Sequence, residues 1–220
     1  MLCSRCQDNQ TFERRIDLMK YNILGDIYRI DCNTCSRFLL IKMDGKVIDV
    51  NSICCDKSVN GWKKIETNRE KLIHYALSQI IYLEFDTPKL ERLESPFDYP
   101  DEFDIVMLRW VNGRPIGFYT VKPKGTEVYM TQERYTMPVL DTAYIKSEYR
   151  NQGYGLEILS DIVARFPNED IGFSKPISKT MLRVLKKFLV KHKQYRLRFW
   201  EIADCDISGS QQLVWYRLRD

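Results

Sequence analysis

The sequence predicts a mixed α/β (α+β) fold, a mixed central sheet with helices on both faces, preceded by a small β-rich N-terminal region. Three observations predict it. Asp44-Gly45 and Asn112-Gly113 each separate two short apolar runs, the strongest short-range signal for a β-hairpin. Three later segments carry apolar residues at helical spacing. Between Val139 and Phe166 a strand-like run, a glycine-rich turn and an amphipathic helix follow one another directly.

The elements follow in order. Residues 1–20 are polar and read as a mobile end, and residues 21–100 as a β-rich region with one helix. Its strands are expected around Ile27–Ile30, Phe38–Ile41 and Val47–Val50. Thr67 and Glu70 have the spacing of a capping box, in which each side chain satisfies one open amide of a helix start. Leu72, Ile73, Ala76, Leu77, Ile80 and Ile81 then mark one buried face. The polar stretch Glu91–Glu102, with Pro96 and Pro100, is the best boundary or a long surface loop. From there, residues 101–220 hold the hairpin around Asn112-Gly113, a strand Val139–Ile145, a helix with Leu156, Leu159, Ile162, Val163 and Phe166 inward, and a helix opened by Ser178. Two closing strands are expected over Tyr195–Ile202 and Leu213–Leu218.

The whole-chain properties exclude several classes. The 220 residues are 44% apolar and 12% aromatic, enough to bury a core. Lys and Arg exceed Asp and Glu by only 34 to 30, too little to argue for direct nucleic-acid binding. No run is long enough for a membrane-spanning helix, and no signal peptide is evident, so an intracellular protein, nuclear or cytoplasmic, is expected. An odd count of seven cysteines then points to reduced thiols.

Arg150-Asn151-Gln152-Gly153-Tyr154-Gly155 is the segment that carries chemistry. A helix start presents unpaired amides and the positive end of the helix dipole, which together hold an anion. Gly153 and Gly155 let diphosphate oxygens approach the backbone, and Arg150 adds a cation at the rim. On these residues, Val139–Phe166 resembles the acetyl-CoA-binding segment of the GNAT acetyltransferases. The resemblance implies acetyl-CoA as cosubstrate, with the amides of Arg150 through Gly155 on its pyrophosphate and the backbone of Ile145 on its pantetheine. From Tyr21 onward, Gly117–Pro123 and Leu140-Asp141-Thr142 are similar to segments of the soluble lamin-associated protein family. The chain ends at Asp220 without the long acidic tail of that family's longer member, and so resembles the short one. This implies a possible nuclear setting and a protein or peptide substrate such as histone tails.

An acetyltransferase of this type needs a base near the strand before the loop and often a Tyr or Cys acid on the following helix. Alternation places Asp141 on one face with Val139 and Ala143, where a carboxylate would meet the amine. The competing reading is that Asp141 tethers the strand. Ser178–Val190 has neither Tyr nor Cys, and Phe188 stands where GNAT relatives often carry Tyr; Tyr144 and Tyr195 are the remaining donors. The function expected is acetyl-CoA-dependent transfer to protein amines, with a GNAT-derived binding module at the nuclear periphery as the alternative.

Cys3-x-x-Cys6 and Cys32-x-x-Cys35, with 25 residues between them, have a spacing like that of zinc ribbons. Cys32 and Cys35 also suit a hairpin turn, so no metal is assigned and both pairs are expected to be dispensable. Cys54 and Cys55 read as strand-end residues, His74 as structural, and the lysines and arginines of 179–193 as a solvated helix face.

Overall fold

A computed structural model describes residues 3–48, 58–128, 131, 133–202 and 211–219. It contains a four-stranded antiparallel sheet and a seven-stranded mixed sheet. Strands β1 (Thr11–Arg15), β2 (Ile27–Cys32), β3 (Phe38–Met43) and β4 (Lys46–Ile48) form the first, in that order. Asp44 and Gly45 both take positive φ, 48° and 77°, as the two-residue turn between β3 and β4 demands. The segment expected to be mobile thus contributes β1, paired with β2 from Thr11↔Cys32 to Arg15↔Tyr28. Asp49 and Val50 of the third expected strand, and Cys54 and Cys55, lie outside the described residues.

The chain then enters the larger sheet through β5 (Gly61–Lys64), before the boundary that the polar stretch suggests. Helix α1 (Asn68–Tyr75) opens on the capping box. Thr67 Oγ1 accepts from the Glu70 amide at 3.2 Å, and Glu70 accepts from the Thr67 amide at 2.9 Å. It passes directly into a wider helical stretch, Ala76–Asp86, of the π type. There follow β6 (Ile105–Val111), β7 (Arg114–Lys122), β8 (Val139–Ile145), α2 (Tyr154–Arg165), β9 (Ile171–Ser174), α3 (Lys179–Lys191), β10 (Phe199–Ile202), β11 (Gln212–Leu213) and α4 (Val214–Arg219). The sheet order is β11-β10-β9-β8-β7-β6-β5, with β8–β9 and β9–β10 parallel and the other pairs antiparallel.

Alternation along the central strands explains the layers. Leu108, Trp110 and Phe118 point to the face covered by α1 and the Ala76–Asp86 stretch, with Leu72, Leu77 and Ile80 against them. Met107, Tyr119 and Val121 point to the other face, under Ile158 and Ile162 of α2 and Leu185 and Leu189 of α3. Both faces are buried, which is why β7 reads as a nearly continuous apolar run. The smaller sheet is tied to the first layer by Arg29, whose guanidinium bonds Asp31 at 2.6 Å and Glu84 at 2.8 Å.

One predicted element is replaced. Leu213–Leu218 reads as a strand from its β-rich residues, but Val214–Arg219 is helical. Val214 and Leu218, four residues apart, are both buried against the helical layer, and that packing overrides local propensity. Tyr216 is consequently exposed. Among the described residues no helix is long and apolar enough to cross a membrane.

His74 is 1% exposed, accepts or donates at Nδ1 with the Tyr21 hydroxyl at 2.9 Å, and meets the Phe118 ring edge-on. Burial drives its pKa down from 6.5 to about 3. The folded chain therefore refuses a proton that the unfolded chain takes up below 6.5, so this contribution is intact at neutral pH and is lost as pH falls toward 3. Near pH 5 the loss should reach about 2 kcal/mol. Urea unfolding of wild type and His74→Phe across this range should show a steeper acid slope in the wild type.

Candidate functional site

The central feature is a parting of strands. β8 pairs with β7 along its whole length, but with β9 only at Val139↔Gly172 and Leu140↔Phe173. β9 is four residues long, and Pro176, which has no amide to donate, follows it two positions later. From Asp141 to Ile145 the second edge of β8 has no strand beside it among the described residues.

Asp141 sits where the strands part, in a β-bulge. Thr120 pairs with Thr142 and Val121 with Leu140, which leaves Asp141 as the extra residue. The bulge breaks the alternation expected from the sequence. Val139 packs with Val128, Met137 and Ile202, whereas Leu140, Ala143 and Ile145 face the helical layer, so Val139 and Ala143 do not share a face. The Ser174 hydroxyl at the end of β9 donates to Asp141 Oδ1 at 2.8 Å and so spans the gap. Lys122 is electrostatically coupled to Asp141 and bonds Asp101 at 2.7 Å and Asp104 at 3.2 Å. Asp104 is a further acidic group that sequence reasoning passes over. Its side chain is fully buried, its Oδ1 has no partner, and burial raises its pKa.

The glycine-rich turn lies beyond the other end of β8. Asn151 and Gly153 take φ of 63° and 95°, and Gly153 is the N-cap of α2 with no side chain capping the helix. The amides of Gly153, Tyr154 and Gly155 find no acceptor among the described residues. A Cβ built on Gly153 would have nothing within 4 Å, so the space beside the turn at this residue is open. Gly155 has another reason to be glycine: a Cβ there would lie 3.0 Å from Val184 of α3, so its role is close helix packing.

Arg150 does not stand free at the rim as the sequence suggests. Its Nε donates to the Ile145 carbonyl at 2.8 Å and its Nη2 to Asp86 at 3.1 Å. The carbonyl of Ile145, whose backbone is expected at the pantetheine, is therefore already engaged. Asp86 also accepts from the Tyr144 hydroxyl at 2.7 Å and the Ser147 amide at 2.9 Å. Its side chain is only 7% exposed. One carboxylate at the end of the π stretch thus fixes the end of β8 and the start of the turn. Nothing local in the sequence marks Asp86, because its partners lie 58 to 64 residues away. Burial, and then the bond to Asp86, push the Tyr144 hydroxyl well above the usual tyrosine range, so it serves as a tether. Phe188 is core, stacked on Phe199 with Tyr195 alongside.

Away from this cleft, Cys3, Cys6, Cys32 and Cys35 converge, with all four sulfurs within 4.8 Å of one another. The lysines and arginines of α3 are exposed, as a solvated face requires.

No protein-family model matches the chain. Among curated proteins it is similar to Protein FAM169B of Mus musculus, 30% identical over 173 residues that cover 74% of this chain and 49% of that protein. It is similar also to Protein FAM169BP of Homo sapiens, 29% identical over 127 residues, covering 54% of this chain and 62% of that one. The chain spans about half the length of the mouse relative and less than two thirds of the human one. Solved structures with a partial likeness include an acetyltransferase from Vibrio fischeri, with a TM-score of 0.36 and 17% identity over 51% of this chain and 93% of that one. An aminoglycoside 6'-N-acetyltransferase from Acinetobacter baumannii has a TM-score of 0.36 and 11% identity, covering 59% and 89%. An aminoglycoside acetyltransferase from an uncultured soil metagenomic sample has 0.35 and 11%, covering 62% and 86%.

Asp86→Ala should cost about 3 kcal/mol in urea unfolding, since it strips three donors of one buried acceptor and leaves the Arg150 cation without its carboxylate. Asp101→Ala, whose side chain is 61% exposed, should change stability by less than about 0.5 kcal/mol.

Proposed function

We propose that this protein is an acetyl-CoA-dependent N-acetyltransferase of the GNAT type. One observation carries the reading: the edge of β8 left open beyond Leu140 leads directly to the unpaired amides at the start of α2. A long cosubstrate with an amide-bearing arm and a diphosphate suits that combination, because the arm can add to a strand edge while the amides and helix dipole take the anion. Gly153, Tyr154 and Gly155 supply those amides, Asn151 and Gln152 shape the turn, and Arg150 braces it. Thr142 to Ile145 line the arm.

The coenzyme supplies a thioester carbonyl. An amine nitrogen bonds to its carbon, the C–S bond breaks, and the proton shed by the amine is taken up by a base, which passes it on to solvent or the departing thiolate. Asp141, lifted out of the strand by the bulge, is the residue assigned to receive that proton. An amine would reach it from the end of β8 opposite the glycine turn. Next to the end of β7, which pairs with the start of β8, lies an open groove of about 840 Å³ lined by Asp101, Glu102, Phe103, Lys124, Glu127 and Arg134. Asp101 and Glu127 there are paired with Lys122 and Arg134, which leaves Glu102 to meet a cationic acceptor, the class to which protein amines such as histone lysines belong.

A second reading is a binding module that holds coenzyme without turnover. The Ser174 bond to Asp141 and the burial of Phe188 in an aromatic stack favour it.

Gly153→Asn adds a side chain at the start of the helix, and Asn tolerates positive φ better than other residues. Calorimetry should show acetyl-CoA binding at least tenfold weaker in this variant, with little change in melting temperature. Equal affinity in a folded variant would remove the proposed diphosphate site. Asp141→Asn should leave acetyl-CoA affinity unchanged yet lower kcat about 10²–10⁴-fold on an amine panel, the deficit shrinking at high pH. If Asp141 only tethers the strands, stability should fall instead and turnover should persist.

A further inference from the structure

Residues 3–10 have no hydrophobic reason to hold their place. Within them only Cys3 is buried, and the rest are polar and mostly exposed. Something other than a core must fix this segment against the β2–β3 turn.

The four sulfurs supply the answer. Cys3 and Cys35 are 3.6 Å apart, Cys6 and Cys32 3.4 Å, and Cys6 and Cys35 3.7 Å. A tetrahedron with metal–sulfur bonds of about 2.3 Å has sulfur–sulfur edges of about 3.8 Å. A disulfide would bring two sulfurs to about 2.05 Å and leave the other pair unrelated to it. Here the Cys6 sulfur is nearly equidistant from Cys32 and Cys35, so the four form one cluster and not two pairs.

The backbone around the cluster repeats itself. In the first loop the Cys3 carbonyl accepts from Gln7 at 2.9 Å and the Cys3 amide donates to the Asp8 carbonyl at 2.8 Å. In the second the Cys32 carbonyl accepts from Ser36 at 2.9 Å and the Cys32 amide donates to the Arg37 carbonyl at 2.9 Å. Gln7 and Ser36, each one residue past the second cysteine of its pair, both take left-handed φ, 59° and 54°. The two Cys-x-x-Cys loops are thus the same turn, 29 residues apart in the chain, facing each other across the sulfurs. Turns of this form aim both sulfurs of a pair, and the amides beyond them, toward one point.

We infer that Cys3, Cys6, Cys32 and Cys35 form a closed structural zinc site that clamps the N-terminal segment to the β2–β3 turn. Four thiolates complete a tetrahedral set and leave no open position for a substrate, so the site is structural. Zinc(II) is the divalent ion that takes four thiolates without redox change. The spacing alone leaves zinc undecided, since a hairpin turn explains Cys32 and Cys35 equally well. The matched loop geometry favours zinc, and under this inference the cysteines are not dispensable.

The test uses the full chain, purified in reductant without added chelator. One equivalent of zinc should be found by elemental analysis and should be released by a thiol-blocking mercurial. Replacement by cobalt(II) should give the intense visible absorption of a tetrahedral tetrathiolate site. Cys3→Ser with Cys32→Ser should lose the metal, while Cys205→Ser, outside both pairs, should retain it. Strong chelator should lower the melting temperature of the wild type. Where the double variant fails to fold, the cobalt spectrum of the wild type still decides. Metal-free protein that takes up neither ion with all thiols reduced, or recovery of iron in place of zinc, would overturn the inference.

Discussion

A β-strand in the middle of a sheet ordinarily spends both backbone edges on its neighbours, and β8 spends only one beyond Leu140. Unpaired backbone groups that are screened from water cost roughly what a lost hydrogen bond costs, so an open edge at the centre of a sheet needs a partner of some kind. The rest of the molecule is arranged around that gap. The shortness of β9 creates it, the bulge at Asp141 marks where it begins, and the Ser174 bond bridges it at its narrow end. At the wide end Asp86 gathers Tyr144, Ser147 and Arg150, which ties the end of β8 to the start of the turn before α2.

Most of the fold was legible because local chemistry and tertiary structure agree. Asp44-Gly45 and Asn112-Gly113 adopt the positive φ values that two-residue hairpins need, and Thr67, Glu70 and Ser178 cap their helices as their spacing suggests. The glycine turn was legible for the same reason at Gly153, where φ is 95°. Gly155 has a further reason to be glycine that the sequence does not show, since Val184 of α3 leaves little room for a side chain. Where local preference and packing disagree, packing wins, as in α4.

The illegible features depend on distant partners. The weight carried by Asp86 appears only when the π stretch is laid beside β8, and the bulge at Asp141 only when β7 fixes the register. Likewise the two cysteine pairs are unremarkable turns until the chain brings them face to face. The burial of Phe188 against Phe199, by contrast, leaves the question of an acid where the sequence left it: α3 offers none.

The central claim is that the open edge of β8 and the bare amides of α2 form one binding surface for acetyl-CoA. Backbone amide NMR of the uniformly ¹⁵N-labelled chain during titration with acetyl-CoA tests this most directly. The account predicts shifts concentrated at Thr142–Ile145 and at Gly153, Tyr154 and Gly155, saturating together with one dissociation constant. Shifts confined to the exposed lysines and arginines of α3, or no shifts at all, would contradict it.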